Sequence, residues 1–190
     1  MRKALTALLS LTLVVASTAP SMAAAPKSAT GPTGQVLTVD ASQLLEDGQM
    51  VTVKGRGYDL KVGIYATFCV LPEKGKKPES CGHFDITGQN NQAVWVSSNA
   101  PFYAALLAKP FDKVTKKVKN KKVTTGSFTV QVPVSKMIGD KDCTVVKCAI
   151  LTRADHTRSD YRTADVVIPV CFKSRQAAAH PKPHPKQGET

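Results

Sequence analysis

Cys143 and Cys148 stand five residues apart at the mouth of the apolar run Ala149-Ile150-Leu151. No other feature narrows the fold as much. A short disulfide clasp opening a β-strand is the simplest reading, and it needs an oxidising compartment. The N-terminus points to one. Arg2 and Lys3 precede an apolar segment at residues 4–15, and Ser21-Met22-Ala23 has the small-x-small pattern of a cleavage site. The segment is too short to span a bilayer, which takes about 20 residues. Residues 1–23 are read as a secretory signal, and the mature chain as secreted, extracellular or associated with the cell envelope.

Loss of Arg2 and Lys3 takes the formal net charge from +12 to +10. Residues 24–35, rich in Pro, Gly, Ser and Thr, read as a flexible leader. Residues 173–190 carry His180-Pro181-Lys182-Pro183-His184-Pro185 and read as a disordered tail. Between them, residues 36–172 are long enough for one domain with a real core.

The pattern inside that domain is all-β. Residues 50–58 alternate, with Val51 and Val53 on one face and Thr52 and Lys54 on the other, before Gly55-Arg56-Gly57. A period of two marks a half-buried antiparallel strand, and the glycines suit a bulge or sharp turn. Residues 63–71 are apolar on both faces, which predicts a central or covered strand. Further strands are read at 36–40, 93–97, 126–134, 147–152 and 165–172, the last an edge strand because of Pro169. Residues 99–111 read as irregular, with room for one helical turn. Seven short strands separated by turn signals make an immunoglobulin-like sandwich.

All five cysteines lie in the mature part. Cys69 and Cys81, twelve apart, suit a disulfide clamping the charged loop between them. Such a bridge is worth on the order of 2–3 kcal/mol on the chain-entropy model. Cys143-x4-Cys148 also has half the ligands of a zinc site, but no second pair has suitable spacing. Cys171 is left over, as a quiet buried thiol or the bond of a covalent dimer.

These elements resemble a known family. The order is Leu45-x-Asp47-Gly48, Val51-x-Val53-x-Gly55-x-Gly57, the Cys69–Cys81 loop, Asp142-Cys143-Thr144 with Cys148, and a closing strand ending in Phe172. It is similar to the neocarzinostatin–macromomycin family of actinobacterial secreted proteins. The resemblance implies a seven-stranded immunoglobulin-like sandwich with two disulfides, matching Cys69–Cys81 and Cys143–Cys148. It also implies an antimicrobial carrier that shelters an enediyne chromophore in a cleft and releases it to cut DNA. Phe84 is the candidate equivalent of a cleft aromatic. This chain departs from the carriers in its strong basicity, in its Lys-rich segment at 109–122, in Cys171, and in the charged stretch 152–160.

Several constellations bear on function. Phe68, Phe84, Trp95, Phe102 and Tyr103 are the expected lining of an aromatic cleft for a small apolar ligand, with Tyr65 beside them. Haem is one candidate flat ligand, since Tyr and His can hold iron. No resident cofactor or metal is expected, and no catalytic residue: no nucleophile-elbow motif or paired metal-type His spacing occurs. Lys113, Lys116, Lys117, Lys119, Lys121 and Lys122 read either as a solvated hairpin tip or as salt-sensitive contacts with a polyanion. An anionic wall polymer fits the compartment better than DNA, because no aromatics interleave for base stacking. The polar loop holding Arg153, Asp155, His156, Arg158 and Asp160 is read as a salt-bridge cluster or a binding loop. The reading of first choice is a non-enzymatic carrier of a small apolar ligand. The second is an envelope module held to wall polymer or a protein partner by the Lys-rich loop.

Overall fold

The computed structural model describes residues 25–85 and 91–173. The signal read at 1–23 and, apart from Lys173, the tail read at 173–190 lie outside the described residues. Two antiparallel sheets pack face to face. The first runs in the order β1 (Lys27–Thr30), β2 (Val36–Val39), β3 (Met50–Tyr58), β7 (Lys121–Pro133), β6 (Asp112–Val118). The second runs β11 (Val166–Val170), β10 (Cys148–Ala154), β4 (Ile64–Val70), β5 (Ala93–Val96). A small ribbon pairs β8 (Met137–Ile138) with β9 (Lys141–Asp142). Both expected disulfides are formed, Cys69–Cys81 and Cys143–Cys148, so the zinc reading of the second pair is set aside.

The core between the sheets follows from alternation. Val51, Val53, Phe128, Val130 and Val132 of the first sheet meet Ile64, Ala66, Phe68, Ile150, Ile168 and Val170 of the second. Gly57, at φ +80°, lets the β3–β7 register shift between Arg56 and Tyr58. That extra residue turns Tyr58 into the core, where simple alternation from Val53 would have placed position 57. Tyr58 then packs edge-on to Phe128 at 5.2 Å and donates or accepts a 3.0 Å bond with Thr152 Oγ1.

All seven expected strands are present, and four were not foreseen: β1, β6, β8 and β9. Residues 24–35, expected to be a flexible leader, contribute β1, which pairs with β2 from Lys27↔Val39 to Thr30↔Val36. Ser28 and Thr38 link across that pair at 2.8 Å. A backbone ladder needs no apolar side chains, so a Pro- and Ser-rich stretch can still join a sheet edge. The Lys-rich segment is an exposed hairpin, in line with the hairpin-tip reading. It forms β6 and the start of β7, joined by Lys119 and Asn120, both at positive φ. Two consecutive left-handed residues make the tight hairpin turn whose twist matches the strands. β11 is an edge strand with Pro169 exposed, as its proline requires. Cys171 is exposed and free, which removes the buried-thiol reading.

Candidate functional site

β4 is buried on both sides. Ile64, Ala66 and Phe68 enter the inter-sheet core, whereas Tyr65, Thr67 and Cys69 face outward and are buried too. A second apolar cluster lies on that outer face. Its centre is Tyr65, Ala93, Trp95 and Ala108, with Phe84, Ala100 and Ala104 packed against it. Trp95 stands directly opposite Tyr65 in the β4–β5 ladder, so the pairing itself sets their rings side by side, 6.5 Å between centroids. Phe84 arrives from beyond the Cys81 end of the first disulfide loop and meets Tyr65 at 5.5 Å and Trp95 edge-on at 6.5 Å.

Each large ring of this floor that carries a polar atom has a partner from the β10–β11 loop. Trp95 Nε1 donates to Asp155 Oδ2 at 3.0 Å. The other oxygen of Asp155 accepts from Thr157 N at 3.0 Å and Thr157 Oγ1 at 2.6 Å, capping the 3-10 turn His156–Arg158. Asp155 is 2% exposed, and its carboxylate needs these three bonds to stay buried. Gly63 makes room for it: a Cβ there would stand 2.0 Å from Asp155 Oδ2. Tyr65 Oη lies 2.7 Å from His156 Nδ1. Burial, then the nearby Asp155 charge, raise the Tyr65 pKa, with Arg153 opposing them. The phenol therefore stays protonated, and the His156 tautomer sets which partner donates in this bond. The Arg153 guanidinium lies 5.3 Å over the Tyr65 ring. The loop read as a salt-bridge cluster is thus partly a set of buried polar anchors for the aromatic floor.

The expected cleft residues separate into three places. Phe84 and Trp95 are brought together on the floor with Tyr65. Phe68 is not there; it is fully buried between the sheets, edge-on to Phe172 at 6.0 Å, because its parity on β4 is that of Ile64 and Ala66. Phe102 and Tyr103 belong to a 3-10 turn, Phe102–Leu107, that crosses next to the floor. Its neighbourhood is inverted. Ala100, Ala104 and Ala108 pack against the floor, while Phe102 is 92% exposed, Tyr103 78% and Leu106 101%. Sequence reasoning missed Asp155, His156 and Ala104 as floor contacts. Gly63 held a signal for Asp155, but only the ladder shows which residue approaches it.

The six lysines of 113–122 all lie on the β6–β7 hairpin, and all are exposed. β3 pairs with β7 only from Tyr58↔Gly126 onward, so residues 113–125 extend past it as a two-stranded ribbon. Opposed residues share a face. One face carries Val114, Lys116, Val118, Lys121, Val123 and Thr125; the other, continuous with core-facing Phe128, carries Lys113, Thr115, Lys117, Lys122 and Thr124. Among the described residues, no three His, Cys, Asp or Glu side chains converge on a metal position. None of the helices found there is long and apolar enough to cross a membrane.

Neither a family model nor a curated protein sequence matches the chain. Among solved structures, the chain is similar in fold to one described as macromomycin. The two share 19% sequence identity at a TM-score of 0.43, over 73% of this chain and 98% of that one.

Proposed function

We propose that this is a secreted, non-enzymatic binding protein that holds a small apolar ligand between the aromatic floor and the turn Phe102–Leu107. One observation carries the reading. The turn sets Ala104 against the floor, between the flanking Ala100 and Ala108, and leaves Phe102, Tyr103 and Leu106 in water. Each such side chain forgoes about 1.5–3 kcal/mol of burial. A flat ligand entering above Tyr65, Phe84 and Trp95 would meet the small alanine footprint, and the turn could settle back with Phe102, Tyr103 and Leu106 against it. Contiguous exposed apolar surface of this kind marks interaction sites. The two disulfides fit an oxidising compartment. Sequestration is the mechanism: burial shields the ligand, and displacement of the turn releases it.

Trp95 is the only tryptophan, so it reports the floor alone. Titration with hemin, with a polycyclic aromatic dye and with an organic extract of the producing culture should find a ligand that quenches Trp95 and raises the melting temperature. Phe102→Ser with Tyr103→Ser should weaken that ligand about tenfold or more, equivalent to 1.4 kcal/mol. Absence of any response across the three would refute the reading. A characteristic haem absorption band on adding hemin would single out iron capture.

The ribbon favours a second reading. An overhanging hairpin with six exposed lysines is suited to an anionic envelope polymer. It predicts retention on cell walls that salt reverses and that Lys116→Ser, Lys117→Ser, Lys121→Ser and Lys122→Ser together abolish. Retention indifferent to both would remove it.

A further inference from the structure

A cleft of about 280 Å³ opens at one end of the sandwich, between the sheets. It is separate from the aromatic floor, which lies on the outer face of the second sheet. Its lining includes Gln35, Tyr58, Thr124, Thr125, Tyr161 and Thr163. The walls are held by the neighbouring loops. Gln35, 1% exposed, accepts on Oε1 from Thr33 N at 2.9 Å and Thr33 Oγ1 at 2.5 Å, and its Nε2 donates to Thr163 O at 2.6 Å. Tyr58 closes the base through its bond to Thr152. Tyr161 is 44% exposed at the mouth. Among the described residues, the hydroxyls of Tyr161 and Thr163 have no hydrogen-bond partner. The acidic member of the lining, Asp59, turns Oδ1 to Lys61 N at 2.9 Å.

Thr124 joins this cleft to the ribbon. It shares a ribbon face with Thr115, to which it bonds at 2.8 Å, and with Lys117 and Lys122. The face that lines the cleft therefore continues outward as a row of ammonium groups. A tyrosine ring, several hydroxyls and an amide-braced wall suit a hydroxylated carbon chain; the lysines suit phosphates spaced along it. The volume lies at the small end of ligand pockets and has room for one polyol or sugar unit. We infer that the end cleft is a subsite for one polyol-phosphate unit of an anionic polymer, with Lys117 and Lys122 on the phosphates of adjoining units. This rests on the second reading above and deepens it, because charge alone would not distinguish one polyanion from another.

The test uses the mature protein and three probes: poly(ribitol phosphate), inorganic polyphosphate of matched charge, and phosphatidylglycerol vesicles. Poly(ribitol phosphate) should bind about tenfold or more tighter than polyphosphate, equivalent to 1.4 kcal/mol. Tyr161→Ala and Thr163→Val should each shrink that preference and leave polyphosphate binding unchanged. Lys117→Ser with Lys122→Ser should weaken both polymers. Equal affinity for the two polymers, with Tyr161→Ala and Thr163→Val silent, would overturn the cleft while leaving the ribbon reading intact. No binding to either polymer would overturn both. Binding to vesicles alone, lost in Val118→Ser with Val123→Ser, would assign the ribbon to a membrane surface and overturn the inference as well.

Discussion

On its inner side β4 presents Ile64, Ala66 and Phe68 to the opposite sheet; on its outer side Tyr65, Thr67 and Cys69 lie beneath the segments carrying Phe84, Ala104 and His156. Both sides exclude water. The inner contacts are apolar and fixed by two sheets that cannot part without unfolding. The outer contacts are directional and come from loops: Asp155 to Trp95, His156 to Tyr65, alanines against rings. A covered face built this way can be uncovered without opening the sandwich. That difference, rather than the amount of burial, separates a structural face from a candidate binding face.

Phe68→Ala should cost about 3–5 kcal/mol in urea unfolding, as for a large buried aromatic. A cost under about 1 kcal/mol would mean that the inner face is not the core. Next, Gly63→Ala forces a Cβ into Asp155 and should detach it from Trp95, costing about 1–3 kcal/mol. Its diagnostic sign is a changed Trp95 emission, which Phe68→Ala at low denaturant should not mimic. Trp95→Phe strands the Asp155 oxygen and should cost a similar amount, about 1–3 kcal/mol. Phe102→Ser with Tyr103→Ser should leave stability within about 0.5 kcal/mol, since both rings are already in water. Equal costs for the inner and the turn substitutions would erase the distinction.

A smaller effect is set by pH. Asp165, beside the 3-10 turn Arg162–Ala164, bonds Arg162 Nη1 at 2.9 Å with one oxygen, while its Oδ1 is buried without a partner. Burial lifts its pKa from 3.8 to about 6, against the pull of Arg162 and Arg153. The folded protein then holds this proton more tightly than the unfolded chain. Its contribution to stability is full below pH 3.8 and is lost as pH rises through about 6. Melting temperatures between those limits should show this decline, and Asp165→Asn should flatten it.

Much of this architecture is legible in the sequence, because period-two patterns and cysteine spacing report local geometry. Alternation located Val51, Val53, Phe128 and Ile168, and Pro169 marked an edge. Alternation did not decide which side of β4 was the core, since both sides are apolar; Phe68 was therefore expected in the cleft. Parity relative to β10 decides it: Phe68 pairs with core-facing Ile150, and Tyr65 with Arg153. The β1 and β6 strands were invisible because edge pairing rests on backbone bonds and demands little of side chains. The floor's polar anchors were invisible for another reason. Trp95 and Asp155 are sixty residues apart, and only strand pairing makes them neighbours. The exposure of Phe102 and Tyr103 was equally hidden, since aromatic composition alone reads as burial.

The most direct test of the central claim is absorption and Trp95 fluorescence of the mature protein from its own producer's culture fluid, before and after organic extraction, with mass spectrometry of the extract. A bound ligand should give absorption beyond that of protein, a discrete small apolar molecule in the extract, and Trp95 emission that recovers on extraction and is quenched again on adding the extract back. A protein-only spectrum, an empty extract and Trp95 emission indifferent to both steps would contradict that claim.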